Sequence, residues 1–364
     1  MTTSAASETL YRRPLPADAT AFSSPAGRAV FAEALAVGGL DGYFPLAEQF
    51  HTQSEPAFCG LGSLVVALNA LAIDPGRLWK GPWRWFAEDL LDCCVSLDEI
   101  RRRGLDLDEL TCLARCNGAA VELHRADADE LAAWRGSLAV AARGDGVVIA
   151  AYDRSALDQT GDGHFSPIGG YHPARDLVLV LDVARFKYPP HWIAAERLWH
   201  AMRAVDPATG RSRGWMVLTR RARGVALGFS LACKGEDLKG LARRLSSLVE
   251  GLGPTATLAE VALALVPLAA NLVVRTPSSA AHCNAIATAR DAVRALPAFP
   301  RIAAAVAAEP EAIAILLLAI ADRLPSALRA ELDTEHDSPL AAELASLRAQ
   351  LGALWAIASF TETH

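Results

Sequence analysis

Residues 147–183 read VVIAAYDRSALDQTGDGHFSPIGGYHPARDLVLVLDV. Residues 147–152 are short and rich in β-branched side chains, and 177–183 form a near-continuous apolar run, so both are typical of central strands. Between them, 164–171 predict a third strand that glycines interrupt. Upstream, 60–73 (GLGSLVVALNALAI) have apolar side chains at helical spacing, which predicts a mostly buried helix. Helices followed by antiparallel strands predict an α+β fold.

The chain changes character at about residue 222. Alanine and leucine at helical spacing dominate from there, and they predict five helices, near 236–250, 257–274, 279–295, 302–323 and 338–358. The arginine-rich stretch 220–224 (RRARG) is the candidate boundary. We therefore expect two domains: a mixed domain at 1–221 and an all-α domain at 222–364, in which Cys233 and Cys283 are the two cysteines.

The overall charge excludes some classes of partner. The 364 residues carry a formal net charge of −6, and the sequence pI is about 5.9. Nucleic acids and anionic membranes require a basic protein surface, so neither is an expected partner. The longest apolar run, 261–274, is interrupted by Pro267 and Asn271 and is shorter than the ~20 residues of a membrane-spanning helix.

The N-terminus and the cysteines favour a cytoplasmic location. The first 20 residues, MTTSAASETLYRRPLPADAT, lack the apolar segment of a signal peptide. The seven cysteines are odd in number and sparse for a disulfide scaffold, which indicates reduced thiols. We therefore expect a cytoplasmic protein.

Cys59 is the first candidate for chemistry. It lies in HTQSEPAFCG (51–60), where an irregular segment becomes the predicted buried helix. Unpaired N–H groups and the helix dipole stabilise a thiolate at such a position. Gly60 allows a substrate or another chain segment to approach the backbone. The alternative is a small buried cysteine that fills a gap in the core.

His164 and Asp182 are the candidate partners of Cys59. His164 begins a predicted strand after a glycine turn, and Asp182 lies at the end of the next strand, so the two side chains can lie next to each other. A cysteine nucleophile needs a base, and the base needs a group that fixes its tautomer. The order cysteine, histidine, aspartate matches the papain-like arrangement. By itself this order also occurs by chance, with the histidine bonded to a carbonyl and the aspartate in a turn.

Four further cysteines are candidate metal ligands. Cys93 and Cys94 are adjacent, and Cys112 and Cys116 follow as C-x₃-C. Adjacent cysteines do not easily share one tetrahedral ion, and the second pair lacks a partner at zinc-finger spacing. We therefore expect no structural zinc, and two alternatives stay open: weak binding of soft metals, or reduced thiols packed on helices.

Three tryptophans are close together in DPGRLWKGPWRWF (74–86). They are Trp79, Trp83 and Trp85. Large aromatic rings supply much of the buried surface of a core, so we expect these three in the core and its wall and not in a stacking platform.

Several segments together resemble one family. HTQSEPAFCG, DPGRLWKGPWRWF, LDCC, QTGDGHFSPIGGYH and LDVARFKYPPHW are similar, in this order, to the signature segments of the phytochelatin synthases, which are glutathione γ-glutamylcysteinyltransferases. The resemblance extends from about Leu10 to Arg221. It implies a papain-like catalytic domain at 1–221, and it assigns roles to particular residues of this chain.

The roles implied by the resemblance concern the nucleophile and the substrate. It implies Cys59 as nucleophile, His164 as base, Asp182 as the residue that orients the base, and Gln53 as side-chain donor of the oxyanion hole. Asp206 and Arg213 match the positions that bind the amine and the carboxylate of the γ-glutamyl group. Arg185 also matches a family arginine. Two roles stay open for it: a place near a second-substrate site, or an ion pair with a loop carboxylate.

The resemblance implies a two-step reaction. Cys59 attacks the Cys–Gly bond of glutathione, glycine leaves, and the γ-Glu-Cys group passes to a second glutathione or to a phytochelatin peptide. It implies no tightly bound cofactor, because ions such as Cd, Zn or Cu enter as glutathione thiolates or as activators. A homodimer through the helical part is open. The alternatives are a glutathione hydrolase and a non-catalytic thiol protein that binds metal through the four cysteines.

Overall fold

The computed structural model describes residues 12–75, 78–127, 131–220, 228–231, 238–253, 255–274, 280–332 and 340–361. Most of the candidate boundary at 220–224 and one C-terminal cysteine, Cys233, lie outside the described residues. Among the described residues, no helix combines the length and the apolar character that crossing a bilayer would require.

A seven-stranded antiparallel sheet forms the centre of the first 220 residues. Its strand order is β1-β6-β5-β4-β3-β9-β2. Two further pairs, β7 with β8 and β10 with β11, are two-stranded. The strands are β1 Thr20–Ala21, β2 Ala119–Arg125, β3 Val147–Asp153, β4 Gly163–His172, β5 Leu177–Val180, β6 His191–Ala194, β7 Val205–Asp206, β8 Arg211–Ser212, β9 Gly214–Arg220, β10 Phe229–Leu231 and β11 Leu272–Val274.

Helices lie on the sheet and make up most of the C-terminal part. They are α1 Pro25–Ala36, α2 Tyr43–Gln49, α3 Cys59–Ala70, α4 Leu97–Arg103, α5 Leu107–Cys116, α6 Leu131–Ala142, α7 Ala195–Met202, α8 Leu238–Glu250, α9 Leu258–Ala269, α10 Ala280–Arg294, α11 Phe299–Ala305, α12 Pro310–Ala319, α13 Ser326–Glu331 and α14 Ala341–Thr361. The chain is therefore a mixed helix-and-sheet protein whose C-terminal part is mainly helical.

The central strands are buried on both faces, which explains their continuous apolar sequence. In β3, Val147, Ile149 and Ala151 belong to the core that includes α3 and α5. Val148 and Ala150 belong to a second core, which includes α6 and α7. Side chains alternate between the faces of a strand, so a strand between two helical layers has no polar face. The predicted central strands are confirmed by β3 and β5.

The predicted buried helix is confirmed by α3. Its residues from Gly60 to Leu68 are all buried, which agrees with the apolar sequence. Gly60 has a packing role here: a β-carbon at this position would lie 3.2 Å from Leu105 Cδ1 and 3.4 Å from both Leu110 Cδ1 and Phe165 Cδ2. The absence of a side chain at Gly60 therefore lets α3 lie close to these three residues.

The sequence predicted an all-α C-terminal part, and this prediction was wrong because two short strands lie within it. The predicted helix 257–274 ends at Ala269, and the following β11 pairs with β10. The predicted helix 302–323 is divided into α11 and α12. Pro310 begins α12, where its missing N–H costs nothing, and Glu309 before it has a φ of +53°. The left-handed backbone of Glu309 therefore interrupts the helix at this point.

The C-terminal part packs directly on the sheet-containing part. Helix α14 contacts α5 and β10, and buried residues from both parts form one continuous core. On α14, the buried Glu343 side chain accepts hydrogen bonds from the backbone N–H groups of Gly228 (2.6 Å) and Phe229 (3.3 Å). The helical part therefore supports α5, whose N-terminal end is near the cavity described below.

Candidate active site

Cys59 is the first residue of α3, as the sequence predicted. One turn later, the Ser63 hydroxyl donates a hydrogen bond to the Phe165 carbonyl of β4 (3.1 Å). The Cys59 side chain itself has a hydrogen bond with the Phe165 backbone and interacts with His164. These contacts fix the start of α3 against the start of β4, and so the thiol lies beside the imidazole.

His164 and Asp182 meet because β4 and β5 are neighbouring antiparallel strands. His164 is the second residue of β4, and Asp182 follows β5 by two residues. The Nε2 atom of His164 lies 2.9 Å from Oδ1 of Asp182, and both side chains are buried. Because Nε2 faces the carboxylate, Nδ1 is the nitrogen that can exchange a proton with Cys59.

Asp182 has a partner that sequence reasoning missed. The Arg154 guanidinium donates two hydrogen bonds to its carboxylate, at 3.0 and 2.8 Å, and the Ala184 backbone N–H donates a third (2.9 Å). A buried carboxylate within an apolar run requires a counter-charge. Arg154 directly follows the strand β3, so this requirement was the signal that could have identified it.

The three side chains shift each other's pKa toward the charged forms. Burial raises the pKa of the Cys59 thiol, but the charge and hydrogen bond of His164 lower it below its ordinary value. Burial and Arg154 lower the pKa of His164, and Asp182 and Cys59 raise it above its ordinary value. Burial raises the pKa of Asp182, but His164 and Arg154 lower it far below its ordinary value. The cluster therefore favours a thiolate–imidazolium pair.

A cavity of about 600 Å³ is lined by Cys59 and His164. This volume is in the range of small-molecule sites. Its wall has charged groups of both signs, which suit a ligand with several carboxylates and an amine. The charged residues that line it are Arg102, Arg103, Asp106, Arg154, Asp162, Lys187, Asp206 and Arg213.

Asp206 and Arg213 both line this cavity, as the resemblance implied. Arg213 is buried, and its Nη1 donates hydrogen bonds to the carbonyls of Ala204 (3.1 Å) and Val205 (2.9 Å). Its guanidinium lies against Gly163, where a β-carbon would come within 3.0 Å of Nη2. The two backbone carbonyls therefore hold the guanidinium against Gly163, the residue that precedes His164.

Three of the expected site residues do not line the cavity. Among the described residues of its wall, Gln53, Gly60 and Arg185 are absent. The Gln53 amide donates to the carbonyls of Glu55 (2.8 Å) and Pro56 (2.9 Å), so in this state both of its N–H groups are engaged.

Arg185 lies near the cavity but faces an aromatic ring. Its guanidinium carbon is 4.8 Å from the centroid of the Phe50 ring. Its neighbours Ala184 and Phe186 line the cavity. Arg185 therefore lies at the edge of the site and not at its wall.

The four cysteines named as candidate metal ligands form one cluster. The Sγ atom of Cys94 lies 2.8 Å from that of Cys112, 3.5 Å from that of Cys116 and 3.8 Å from that of Cys93. The Sγ atoms of Cys93, Cys94 and Cys116 are all within 4.8 Å of one another. Cys116 also donates to the Leu231 carbonyl (2.8 Å), which connects α5 to β10. The sequence spacing did not predict a cluster.

The three neighbouring tryptophans are not in the core, so that prediction was wrong. Trp79, Trp83 and Trp85 are 37%, 69% and 41% exposed. A tight turn with a bridge between Lys80 and Trp83 holds this segment at the surface.

The fold and the site define a mixed helix-and-sheet protein in which a cysteine, a histidine and an aspartate meet at the wall of a cavity. Comparison with known proteins identifies its family. The chain belongs to the phytochelatin synthase family, whose model matches residues 10–215.

Curated relatives agree with this assignment. The chain is 48% identical over 246 residues to glutathione gamma-glutamylcysteinyltransferase 3 of Lotus japonicus, covering 67% of this chain and 51% of the relative. It is 51% identical over 236 residues to glutathione gamma-glutamylcysteinyltransferase 1 of Triticum aestivum (64% and 47%). It is 43% identical over 212 residues to the glutathione gamma-glutamylcysteinyltransferase of Schizosaccharomyces pombe (58% and 51%). The chain spans about half the length of the curated relatives it matches.

Proposed function

We propose that this protein is a glutathione γ-glutamylcysteinyltransferase with a papain-like catalytic domain. The observation that carries the proposal is the Cys59–His164–Asp182 cluster at the wall of a cavity with charges of both signs. Membership of the phytochelatin synthase family and the names of the relatives support the same reaction.

The first step forms a thioester. The Cys59 thiolate attacks the carbonyl carbon of the Cys–Gly amide of glutathione, and the carbonyl π electrons move to the oxygen. When the tetrahedral intermediate collapses, the C–N bond breaks, and the His164 imidazolium gives its proton to the departing glycine nitrogen. The γ-Glu-Cys group is then bound to Cys59 as a thioester, and His164 is neutral.

The oxyanion of this intermediate requires hydrogen-bond donors. Cys59 is the first residue of α3, and the first N–H groups of a helix lack partners within the helix. We propose the Cys59 N–H as one donor and the Gln53 amide as the other. The Gln53 amide must then exchange a backbone carbonyl for the oxyanion when substrate binds.

The second step transfers the acyl group. The α-amine of a second glutathione, or of a growing peptide, loses a proton to neutral His164 and attacks the thioester carbonyl, so that Cys59 leaves as a thiolate. We propose that Cd, Zn or Cu ions take part as glutathione thiolates or activators, which makes the metal part of the substrate. Asp206 and Arg213 are the proposed partners of the γ-glutamyl amine and carboxylate, because both line the cavity beside His164.

A reducing compartment such as the cytoplasm agrees with this chemistry. The Cys59 thiolate, which lines the cavity, is open to oxidation. We therefore propose the cytoplasm as the location.

Mass spectrometry of the intact protein tests the first step. After brief exposure to glutathione, we expect a γ-Glu-Cys adduct that peptide mapping assigns to Cys59. The exposed Cys283 gives a matched control, because Cys283→Ala keeps the adduct while Cys59→Ala abolishes it. A Cys59→Ala variant that still turns over glutathione rejects the proposal.

A product assay separates transfer from hydrolysis. With glutathione and Cd²⁺, we expect (γ-Glu-Cys)₂-Gly together with glycine. If only γ-Glu-Cys and glycine appear, the protein is a glutathione hydrolase that shares the first step. If Cys59→Ala binds metal with unchanged stoichiometry and the unaltered protein shows no turnover, the protein is a thiol metal-binding protein.

A further inference from the structure

Arg154 is a second buried cationic group, besides His164, in direct contact with the Asp182 carboxylate. It directly follows β3, and its side chain is 4% exposed. Two N–H groups of one nitrogen, Nη2, reach the two carboxylate oxygens at 3.0 and 2.8 Å. Charge-assisted bonds of this kind are short, strong and directional. The position of the carboxylate therefore depends on the position of Arg154.

Arg154 is itself held from two further sides. Its Nη1 donates to Oε1 of Gln159 (2.5 Å), and its guanidinium carbon lies 5.0 Å from the centroid of the Tyr188 ring. The Gln159 amide in turn lies 3.4 Å from Nε2 of the fully buried His191. Gln159 lies between β3 and β4, Tyr188 lies between β5 and β6, and His191 begins β6, so the guanidinium has little freedom to move.

A buried aspartate can stop orienting its neighbouring histidine in two ways. Without a counter-charge, burial favours its protonated form, which no longer attracts an imidazolium. If it is held through Oδ1 alone, which His164 and the Ala184 N–H both contact, its carboxylate can rotate about that oxygen and carry the imidazole away from the thiol. The contacts of Arg154 oppose both changes, since they supply the charge and fix both oxygens.

We propose that Arg154 is a positioning residue of the reaction, which holds Asp182 ionised and oriented and thereby aligns His164 with Cys59. Arg154 also offsets the negative charge of Asp182 at the imidazole and adds positive charge near the thiolate. The inference rests on the proposed function only in taking Cys59 as the nucleophile.

Other charged or titratable groups also face Arg154 and His164, and all variants of the alkylation test below retain them. They come from α3, β3, the segment after β5, and β6. They are Cys59, Tyr152, Asp182, Lys187, Tyr188 and His191.

The first test measures the reactivity of Cys59 without glutathione. The rate of Cys59 alkylation by iodoacetamide is recorded against pH for the full chain and for Arg154→Gln and Arg154→Lys. Loss of the cation in Arg154→Gln raises the pKa of the Cys59 thiol, so the midpoint moves up by about 1 pH unit. Arg154→Lys keeps the charge and leaves the midpoint within about 0.3 units, because ammonium also stabilises a thiolate.

Arg135→Gln is the matched control. Arg135 makes a similar pair with Asp176, at 3.1 and 2.6 Å, outside the cavity. We expect an unchanged midpoint for this variant. An equal shift in Arg135→Gln, or no shift in Arg154→Gln, overturns the proposal.

The second test shows whether Arg154 acts through Asp182. We expect Arg154→Gln to lower kcat for glutathione about 100-fold and Arg154→Lys about tenfold, because lysine does not hold both oxygens. In the Asp182→Asn background, where no carboxylate needs to be held, Arg154→Gln lowers kcat by less than about threefold. The double variant also lacks the unpaired buried charge, so it remains folded where a single variant fails.

Two results would overturn the claim that Arg154 acts through Asp182. Equal losses of kcat in both backgrounds mean that Arg154 acts independently of Asp182, and a change in KM alone means that it only binds substrate. The alkylation profile does not require glutathione. A shifted profile in a protein that never forms the γ-Glu-Cys adduct therefore rejects the proposed function while it supports the role of Arg154.

Discussion

The substitution Gly163→Ala tests the site by adding one methyl group at the cavity wall. The added carbon would lie 3.0 Å from Nη2, 3.2 Å from Nε and 3.6 Å from Cζ of Arg213. Favourable contacts need about 3.5 Å or more, so the guanidinium must move by roughly 0.5 Å. Its hydrogen bonds to the Ala204 and Val205 carbonyls, now 3.1 and 2.9 Å, resist this movement. Overpacking of this kind costs about 1–3 kcal/mol.

The expected effect is on substrate binding. If Arg213 binds the γ-glutamyl carboxylate, a displacement of about half an ångström raises KM for glutathione roughly tenfold. Steady-state kinetics give KM and kcat, and the iodoacetamide profile of Cys59 shows whether the thiol and the imidazole are undisturbed. We expect that profile to remain unchanged.

Gly136→Ala is the matched control for this change. Gly136 lies within α6, and a β-carbon there meets no atom within 4 Å. This variant should keep KM and gain up to about 1 kcal/mol of stability, since alanine favours a helix. A KM in Gly163→Ala within twofold of the parent, with Arg213 displaced as expected in a structure of the variant, would refute the role of Arg213 in binding substrate.

Three further predictions concern stability. Burial raises the pKa of Asp182, but His164 and Arg154 hold it below its ordinary value. The ionised carboxylate therefore stabilises the fold above pH ~4. This stabilisation decreases as the pH falls from there toward the pKa of Asp182 in the folded protein. The urea midpoint against pH measures this loss, which should be absent in Asp182→Asn. Glu343→Ala leaves two buried N–H groups without their acceptor and should cost about 2–4 kcal/mol in thermal unfolding; the exposed Glu331→Ala is its control, and equal costs would contradict the reasoning. A chain ending at residue 220 should keep Cys59 alkylation but melt roughly 5–10 °C lower, because α5 loses its contacts with α14; a folded truncation without Cys59 reactivity would exclude this supporting role.

Local sequence patterns predicted the elements that carry the site. The apolar spacing of 60–73 indicated α3, and the β-branched and apolar runs indicated β3 and β5, because a segment buried on all sides is apolar throughout. Cys59 at the start of α3 and His164 at the start of β4 followed directly. The neighbouring positions of His164 and Asp182 could be predicted because the two strands are consecutive and antiparallel.

The sequence-based prediction of helices and of buried residues failed at three places, and at the first of them a partner distant in sequence decides the structure. Residues 272–274 extend an apolar helical pattern, yet they form β11 because residues 229–231 offer a strand to pair with. The division at Pro310 had a local signal, since a proline favours the first turn of a helix, and the predicted helix overlooked it. The exposed tryptophans show that side-chain size alone does not decide burial.

The sequence by itself determined the buried helix α3, the central strands β3 and β5, and the order of a cysteine nucleophile, its base and its orienting acid. Only the tertiary structure decided that Arg154 completes this set, that Gln53 is engaged with backbone carbonyls, and that Cys93 and Cys94 meet Cys112 and Cys116. The physical reason is the separation along the chain between the residues that interact. Helix and strand patterns depend on neighbours a few residues apart, whereas charges and hydrogen bonds act between whichever atoms the packed layers bring within about 3 Å.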